Sequence, residues 1–208
     1  MTPRAGQLVV ISGPSGSGKT SLIDRLRSHP RVRVSISVTT RPRRGDEVDG
    51  VNYHFVDRER FLAMKAEGRF IETNDVFSDG HLYGSLWSDL DEALSDPDCV
   101  YIMEVDVTGA ENLARTEGLA PRFLFIQPPS MEILEQRLRK RQTDDEEAIA
   151  RRLGRASAEI AQAHAAGAEM IVNDSLDKAT ERLAALLGLN GGDGRPAGSP
   201  DATRTDVT

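Results

Sequence analysis

"LVVISGPSGSGKTSLIDRLRS", residues 8–28, sets a short apolar run, a glycine-rich turn and a helical pattern one after another. "LVVI" reads as a strand buried on both faces, and "SLIDRLRS" reads as the opening of a helix. Between them "GPSGSGKT", residues 13–20, satisfies G-x-x-x-x-G-K followed by Ser or Thr, in the strand-to-helix context that the pattern requires. Glycine permits backbone conformations that a β-carbon forbids, so successive N–H groups can converge on phosphate oxygens at the positive end of the helix. This turn predicts a nucleoside triphosphate with Mg²⁺: Gly13, Ser15, Gly16, Ser17, Gly18 and Ser21 line the phosphates, Lys19 reaches the β- and γ-phosphates, and the Thr20 hydroxyl ligates the metal. The pattern does not say where the γ-phosphate goes.

Working outward, short apolar runs alternate with helical patterns, which predicts an α/β domain with a mostly parallel sheet. The expected strands are Leu8–Ile11, Val34–Val38, Val100–Val105, Phe123–Ile126 and Met170–Val172. Helical spacing joins Met131, Leu134 and Leu138, then Ile149, Leu153, Ala156 and Ile160, then Leu176, Ala179, Leu183 and Leu186. Ser130 is the expected N-cap of the first of these. From residue 36 to 88 the alternation lapses into shorter apolar pieces, turns and one helix over Asp57–Glu67, so this span is expected to form a lobe inserted into a core of residues 7–35 and 89–190. Residues 191–208, "GGDGRPAGSPDATRTDVT", hold one Val and no other large apolar residue. Such a segment cannot offset its ordering entropy by burial, which predicts a disordered tail.

Composition narrows the setting. A chain of 208 residues, 38% of them hydrophobic, can bury one main core with a smaller lobe attached. The single Cys99 excludes an internal disulfide and a multi-thiolate metal site, which points to a reducing cytoplasm. His29, His54, His81 and His164 are too scattered for metal-ligand spacing. No apolar run is long enough to cross a bilayer, and no signal segment opens the chain. A formal net charge of −7 argues against a polyanion partner, so neither nucleic acid nor membrane is expected.

Against that charge, "SISVTTRPRRGDEVDGVNYHF", residues 35–55, concentrates Arg41, Arg43 and Arg44 beside Asp46, Glu47 and Asp49. The balance suits one small, sharply placed anion rather than a wide basic face. A solvated loop of surface ion pairs is the plainer alternative. "CVYIMEVD" is a further strand that ends in acids; of Glu104 and Asp106, Asp106 is the one expected to assist the metal, through water, or to orient an acceptor.

The ordered series "GPSGSGKT", "SVTTRPRRGDEVDGVNYHF", "FIE" at 70–72, "YGS" at 83–85, "EVDVTGA" at 104–110, "RFLFIQPPS" and "VNDSLDKA" resembles the guanylate kinase family over nearly all of residues 7–187. The resemblance implies a P-loop nucleoside monophosphate kinase fold: a three-layer parallel-sheet core, the inserted lobe as binding site for the monophosphate, and a helical lid over residues 137–153. It implies the reaction ATP + GMP = ADP + GDP by direct in-line phosphoryl transfer, in purine nucleotide metabolism in the cytoplasm, by a monomer or homodimer. Whether dGMP is also accepted stays open.

Carried over to this chain, the family's acceptor site implies that Arg41 and Arg44 grip the phosphate of GMP, with hydroxyl bonds from Ser37, Tyr53 and Tyr83. Guanidinium forks bind phosphate oxygens bidentately and stay charged at any working pH. Glu72 would read the base: guanine presents N1–H and the 2-amino group side by side to a carboxylate, where adenine presents an acceptor. Ser85 would donate to guanine O6, and Asp106 would complete the acceptor site. In the lid, Arg137 and Arg141 sit four apart on one helix face and Arg152 follows across "TDDEE". Lys19, Arg141 and Arg152 are the expected catalytic cations, while Arg137 and Asn173 belong to the ATP site.

Two places depart from the family. Thr73 replaces an aromatic residue in a connection about two residues longer than usual, and Gln142 replaces a glycine after the lid arginine. The altered connection keeps a second acceptor in view, a ribose bisphosphate on the same scaffold. A phosphopeptide-binding module of guanylate-kinase-like form is a third reading, which the intact Lys19 and Thr20 disfavour.

Overall fold

The computed structural model describes residues 5–74, 80–140 and 145–189. The opening strand is β1 (Gln7–Ser12), whose residues from Leu8 onward are buried on both faces. It lies at the centre of a five-stranded parallel sheet with β2 (Val32–Val34), β7 (Val100–Glu104), β8 (Arg122–Gln127) and β9 (Glu169–Val172), in the order β2-β7-β1-β8-β9. The direction of winding changes at β1, and a crevice at the carboxyl ends of such strands is where open α/β sheets take ligands.

Both faces of the sheet are covered. Val9, Ile11, Ile102, Leu124 and Ile126 pack against Leu22, Ile23 and Leu26 of α1 (Lys19–Leu26) and Ala179 and Leu183 of α7 (Leu176–Leu186). Leu8, Val10, Tyr101 and Met103 face Leu90, Ala93 and Leu94 of α3 (Trp87–Leu94) and Ala110 and Leu113 of α4 (Val107–Arg115). On that side Phe125 also meets Ala163 of α6 (Glu146–Ala165). Each fully buried aliphatic or aromatic side chain contributes about 1.5 to 3 kcal/mol. The α/β domain with a mostly parallel sheet expected from the alternation is therefore present, with helices on both faces as the resemblance implies.

A second sheet, ordered β4-β3-β6-β5, contains β3 (Val38–Thr39), β4 (His54–Phe55), β5 (Phe70–Asn74) and β6 (Tyr83–Leu86). It has its own apolar centre, in which Val38 and Leu86 meet Phe61 and Met64 of α2 (Arg58–Ala66). Asp57 caps that helix through the Arg60 N–H at 2.7 Å. The remaining helix, α5 (Met131–Lys140), packs Leu134 and Leu138 on Ala156 of α6, and Ser130 Oγ accepts from the Ile133 N–H at 3.3 Å, as a cap should.

One expectation is corrected. Val34–Val38 is not a single strand: β2 ends at Val34 in the first sheet and β3 begins at Val38 in the second. Residues 35–37 carry the chain between two sheets, and two half-strands on either side of a crossing look continuous when only their apolar residues are read. α3 and α4 were not anticipated; α4 starts at the Asp106 cap inside a stretch read as a strand end. The expected tail, 191–208, lies outside the described residues. Among the described residues, no helix is long and apolar enough to cross a membrane.

Phe61 is fully buried and stacks on Phe70 with ring centroids 4.5 Å apart. Phe61→Ala is expected to destabilise the chain by about 3 to 5 kcal/mol, read as a shift in the urea midpoint.

Candidate functional site

At the carboxyl end of β1 the chain turns through the glycine loop into α1. Gly13 has φ +148°, and a β-carbon there would lie 2.2 Å from the Ile126 carbonyl oxygen. Gly18 has φ +92° and a β-carbon would meet Asn173 Nδ2 at 2.3 Å. Neither position admits a side chain. Gly18 is the N-cap of α1, with no side-chain cap and no acid in the first turn. By contrast α2, α4 and α6 each begin on an aspartate whose carboxylate takes a backbone N–H. The first turn of α1 thus keeps its donors and its positive end for an anion.

The side chains around the loop hold its shape. Asn173 is 4% exposed, and its Nδ2 donates to the Ser17 carbonyl at 2.7 Å. Arg137 Nη2 donates to the Asn173 carbonyl at 2.9 Å and Nη1 to the Ser17 carbonyl at 3.4 Å. Arg152 Nη1 donates to Ser15 Oγ at 3.1 Å, which seats α6 against the loop. Lys19 Nζ donates to the Gly13 carbonyl at 2.6 Å and lies 4.0 Å from Glu104 Oε1. The Thr20 hydroxyl faces the same oxygen of Glu104 at 3.5 Å.

The two strand-end acids are placed differently. Glu104, at the end of β7 and paired in register with Ile11, is the carboxylate beside Lys19 and Thr20. Asp106 lies beyond the strand, where its Oδ1 accepts the Gly109 N–H at 2.8 Å and caps α4. Thr20 and Glu104 offer oxygen only, a donor set that fits a hard divalent cation shared with phosphates and water.

The second cluster is built on the smaller sheet. Arg41 is 6% exposed and makes a bidentate pair with Glu47, Nη2 to Oε1 at 2.7 Å and Nη1 to Oε2 at 2.9 Å. Its guanidinium lies 5.3 Å from the Tyr53 ring centroid and 5.7 Å from that of Phe55, and the Tyr83 hydroxyl lies against it. Glu47 holds all three arginines: its carboxylate also accepts the Arg44 backbone N–H at 2.7 Å, and its carbonyl accepts Arg43 Nε at 3.0 Å. The Arg41 side chain and the Arg44 N–H hold the Glu47 carboxyl down to about 2, so it is ionised throughout the working range. Arg41 Nη1 also donates to the Pro42 carbonyl at 2.7 Å. Arg44's side chain is exposed, and Ser37 takes part through its carbonyl, which accepts the His54 N–H at 2.9 Å.

Glu72 and Ser85 stand opposite each other in the β5–β6 register, and Ser85 Oγ donates to Glu72 Oε1 at 2.9 Å. Burial pushes the Glu72 carboxyl above the usual range; the Ser85 bond opposes this and the charge of Asp106 adds to it. The structure thus brings Arg41, Tyr53 and Tyr83 together, Glu72 with Ser85, Lys19 and Thr20 with Glu104, and Ser15 with Arg152. Arg141 lies outside the described residues, as does Gln142. The residue that sequence reasoning passed over is Glu47, which was set aside as a surface counter-ion; its signal was an acid six residues after Arg41 and three after Arg44.

The family model described as "Guanylate kinase" matches residues 5–189. Among similar proteins, a guanylate kinase of Thermosynechococcus vestitus is 46% identical over 85% of this chain and 91% of its own length. One from Carboxydothermus hydrogenoformans is 44% identical over 88% and 87%. Among solved structures, the guanylate kinase of Anaplasma phagocytophilum superposes with a TM-score of 0.67 at 30% identity, covering 90% of this chain and 87% of that one.

Because Glu72 has a raised pKa, the folded chain holds its proton more tightly than the unfolded chain does. Its ionisation therefore costs stability above the raised pKa and nothing well below the ordinary one. Glu72→Gln is expected to raise the melting temperature at pH 8, with the gain shrinking toward pH 4 in thermal scans.

Proposed function

Since the chain belongs to the guanylate kinase family, we propose that the glycine loop and the Arg41–Glu72 cluster are the donor and acceptor ends of one phosphotransfer site. The protein catalyses the ATP-dependent phosphorylation of GMP to GDP. The observation that best supports this assignment of residues is the Glu72–Ser85 pair, set side by side by strand register. A carboxylate and a hydroxyl there match guanine's N1–H, 2-amino group and O6.

ATP lies with its phosphates on the N–H groups from Gly13 to Ser21, and Lys19 leaves the loop carbonyls for the β- and γ-phosphates. Arg137 and Asn173 act on ATP through the loop they brace. GMP lies with its phosphate on Arg41 and Arg44, supported by Ser37, Tyr53 and Tyr83, and Ser85 turns its hydroxyl from Glu72 to guanine O6. An oxygen of the GMP phosphate attacks the γ-phosphorus in line, the bond to the β–γ bridging oxygen breaks, and ADP leaves. The nucleophile is already ionised, so no protein base is needed; alignment and charge neutralisation carry the rate. Arg152 supplies one cation, and Arg141 the second. Closure of the lid keeps water from taking the phosphoryl group.

Nucleotide kinase reactions of this family generally need a divalent metal. Mg²⁺ is the ion we assign, held on the protein side by Thr20 with Glu104 nearby, and when bound it neutralises charge on the β- and γ-phosphates. The setting of this reading is purine nucleotide metabolism in the cytoplasm.

The test is ADP release in a coupled assay with MgATP and GMP, AMP, UMP, CMP or ribose 1,5-bisphosphate. Turnover is expected with GMP and is expected to fall at least about 100-fold in Lys19→Ala. Glu72→Gln should erode the preference for GMP over AMP by about 10-fold or more. Activity on another acceptor with none on GMP would overturn the reading.

A further inference from the structure

α6 carries Arg152 and Arg155 three residues apart, hence on one side of the helix. Arg152 reaches the glycine loop at Ser15, while Arg155 Nη2 lies 4.0 Å from Asp106 Oδ2 and its Nε donates to Glu159 at 2.7 Å. The same Asp106 oxygen accepts Asn74 Nδ2 at 3.1 Å, from the last residue of β5. Since Oδ1 is already committed to the cap of α4, one carboxylate joins the smaller sheet, the main core and the helix seated on the donor loop. Asp106 is also close enough to Glu72 to act on its charge.

Resting on the assignment of this cleft to GMP, we propose that Asn74 and Arg155 are positioning residues for the acceptor, acting through Asp106, so that seating α6 on the donor loop also sets the guanine end. A carboxylate fixed at one oxygen still has freedom at the other, and the Asn74 amide removes it. The guanidinium of Arg155 offsets the repulsion between Asp106 and Glu72, two carboxylates that face one base. Its side chain is 54% exposed, so solvent keeps the effect modest. Neither residue touches the reacting atoms.

The test uses the full chain, with GMP and ATP varied separately. Asn74→Ala and Arg155→Ala are each expected to raise KM for GMP about three- to tenfold, with KM for ATP within about twofold of wild type. In an Asp106→Asn background neither should add a further increase, because the shared partner has lost its charge. Arg155→Lys should recover part of the loss, and Glu159→Gln, which removes only the helix partner of Arg155, should leave KM for GMP unchanged. Unchanged KM for GMP in both alanine variants, or full additivity with Asp106→Asn, overturns the proposal while leaving the GMP kinase assignment intact. A wild-type chain inactive on GMP overturns both.

Discussion

Backbone N–H groups at the start of α1 have no side-chain partner, and the architecture around them follows from that. An uncapped helix start is tolerable when a ligand completes it. Holding it open needs glycines at 13 and 18, where the Ile126 carbonyl and Asn173 leave no space for a β-carbon. It also needs Asn173 and Arg137 to fix the Ser17 carbonyl from below. Buried on both faces, β1 gives this turn a rigid base, and β7 and β8 on either side bring Glu104 and Ile126 to its rim.

Two carboxylates beside the smaller sheet are handled in opposite ways. Glu47 is wrapped by Arg41 and the Arg44 N–H, which lowers its pKa and makes it a permanent counter-ion. Glu72 is half-buried with Ser85 as its hydrogen-bond partner, and desolvation raises its pKa. The first arrangement uses its charge to fix a fork; the second holds a carboxylate whose ionisation works against the fold.

The legible parts of the sequence were those whose chemistry is local. The glycine loop, the buried strands and the helices starting at Met131 and Leu176 announce themselves within a few residues. Strand register was not legible, yet it is what puts Ser85 against Glu72. The crossing at residues 35–37 was hidden because apolar half-strands on both sides read as one. Adjacency in sequence does not say which of Glu104 and Asp106 remains on the strand and which becomes a helix cap. Asn74 and Arg155, far apart in sequence, approach the same oxygen of Asp106 only through tertiary structure.

The smaller sheet has a private apolar centre in Val38, Phe61, Met64 and Leu86. Its centre is distinct from the layers beside β1, although Ile71 of β5 packs against the cluster that those layers share. The smaller sheet is thus held in shape by its own side chains and joined to the core at Ile71 and at the Asn74–Asp106 hydrogen bond.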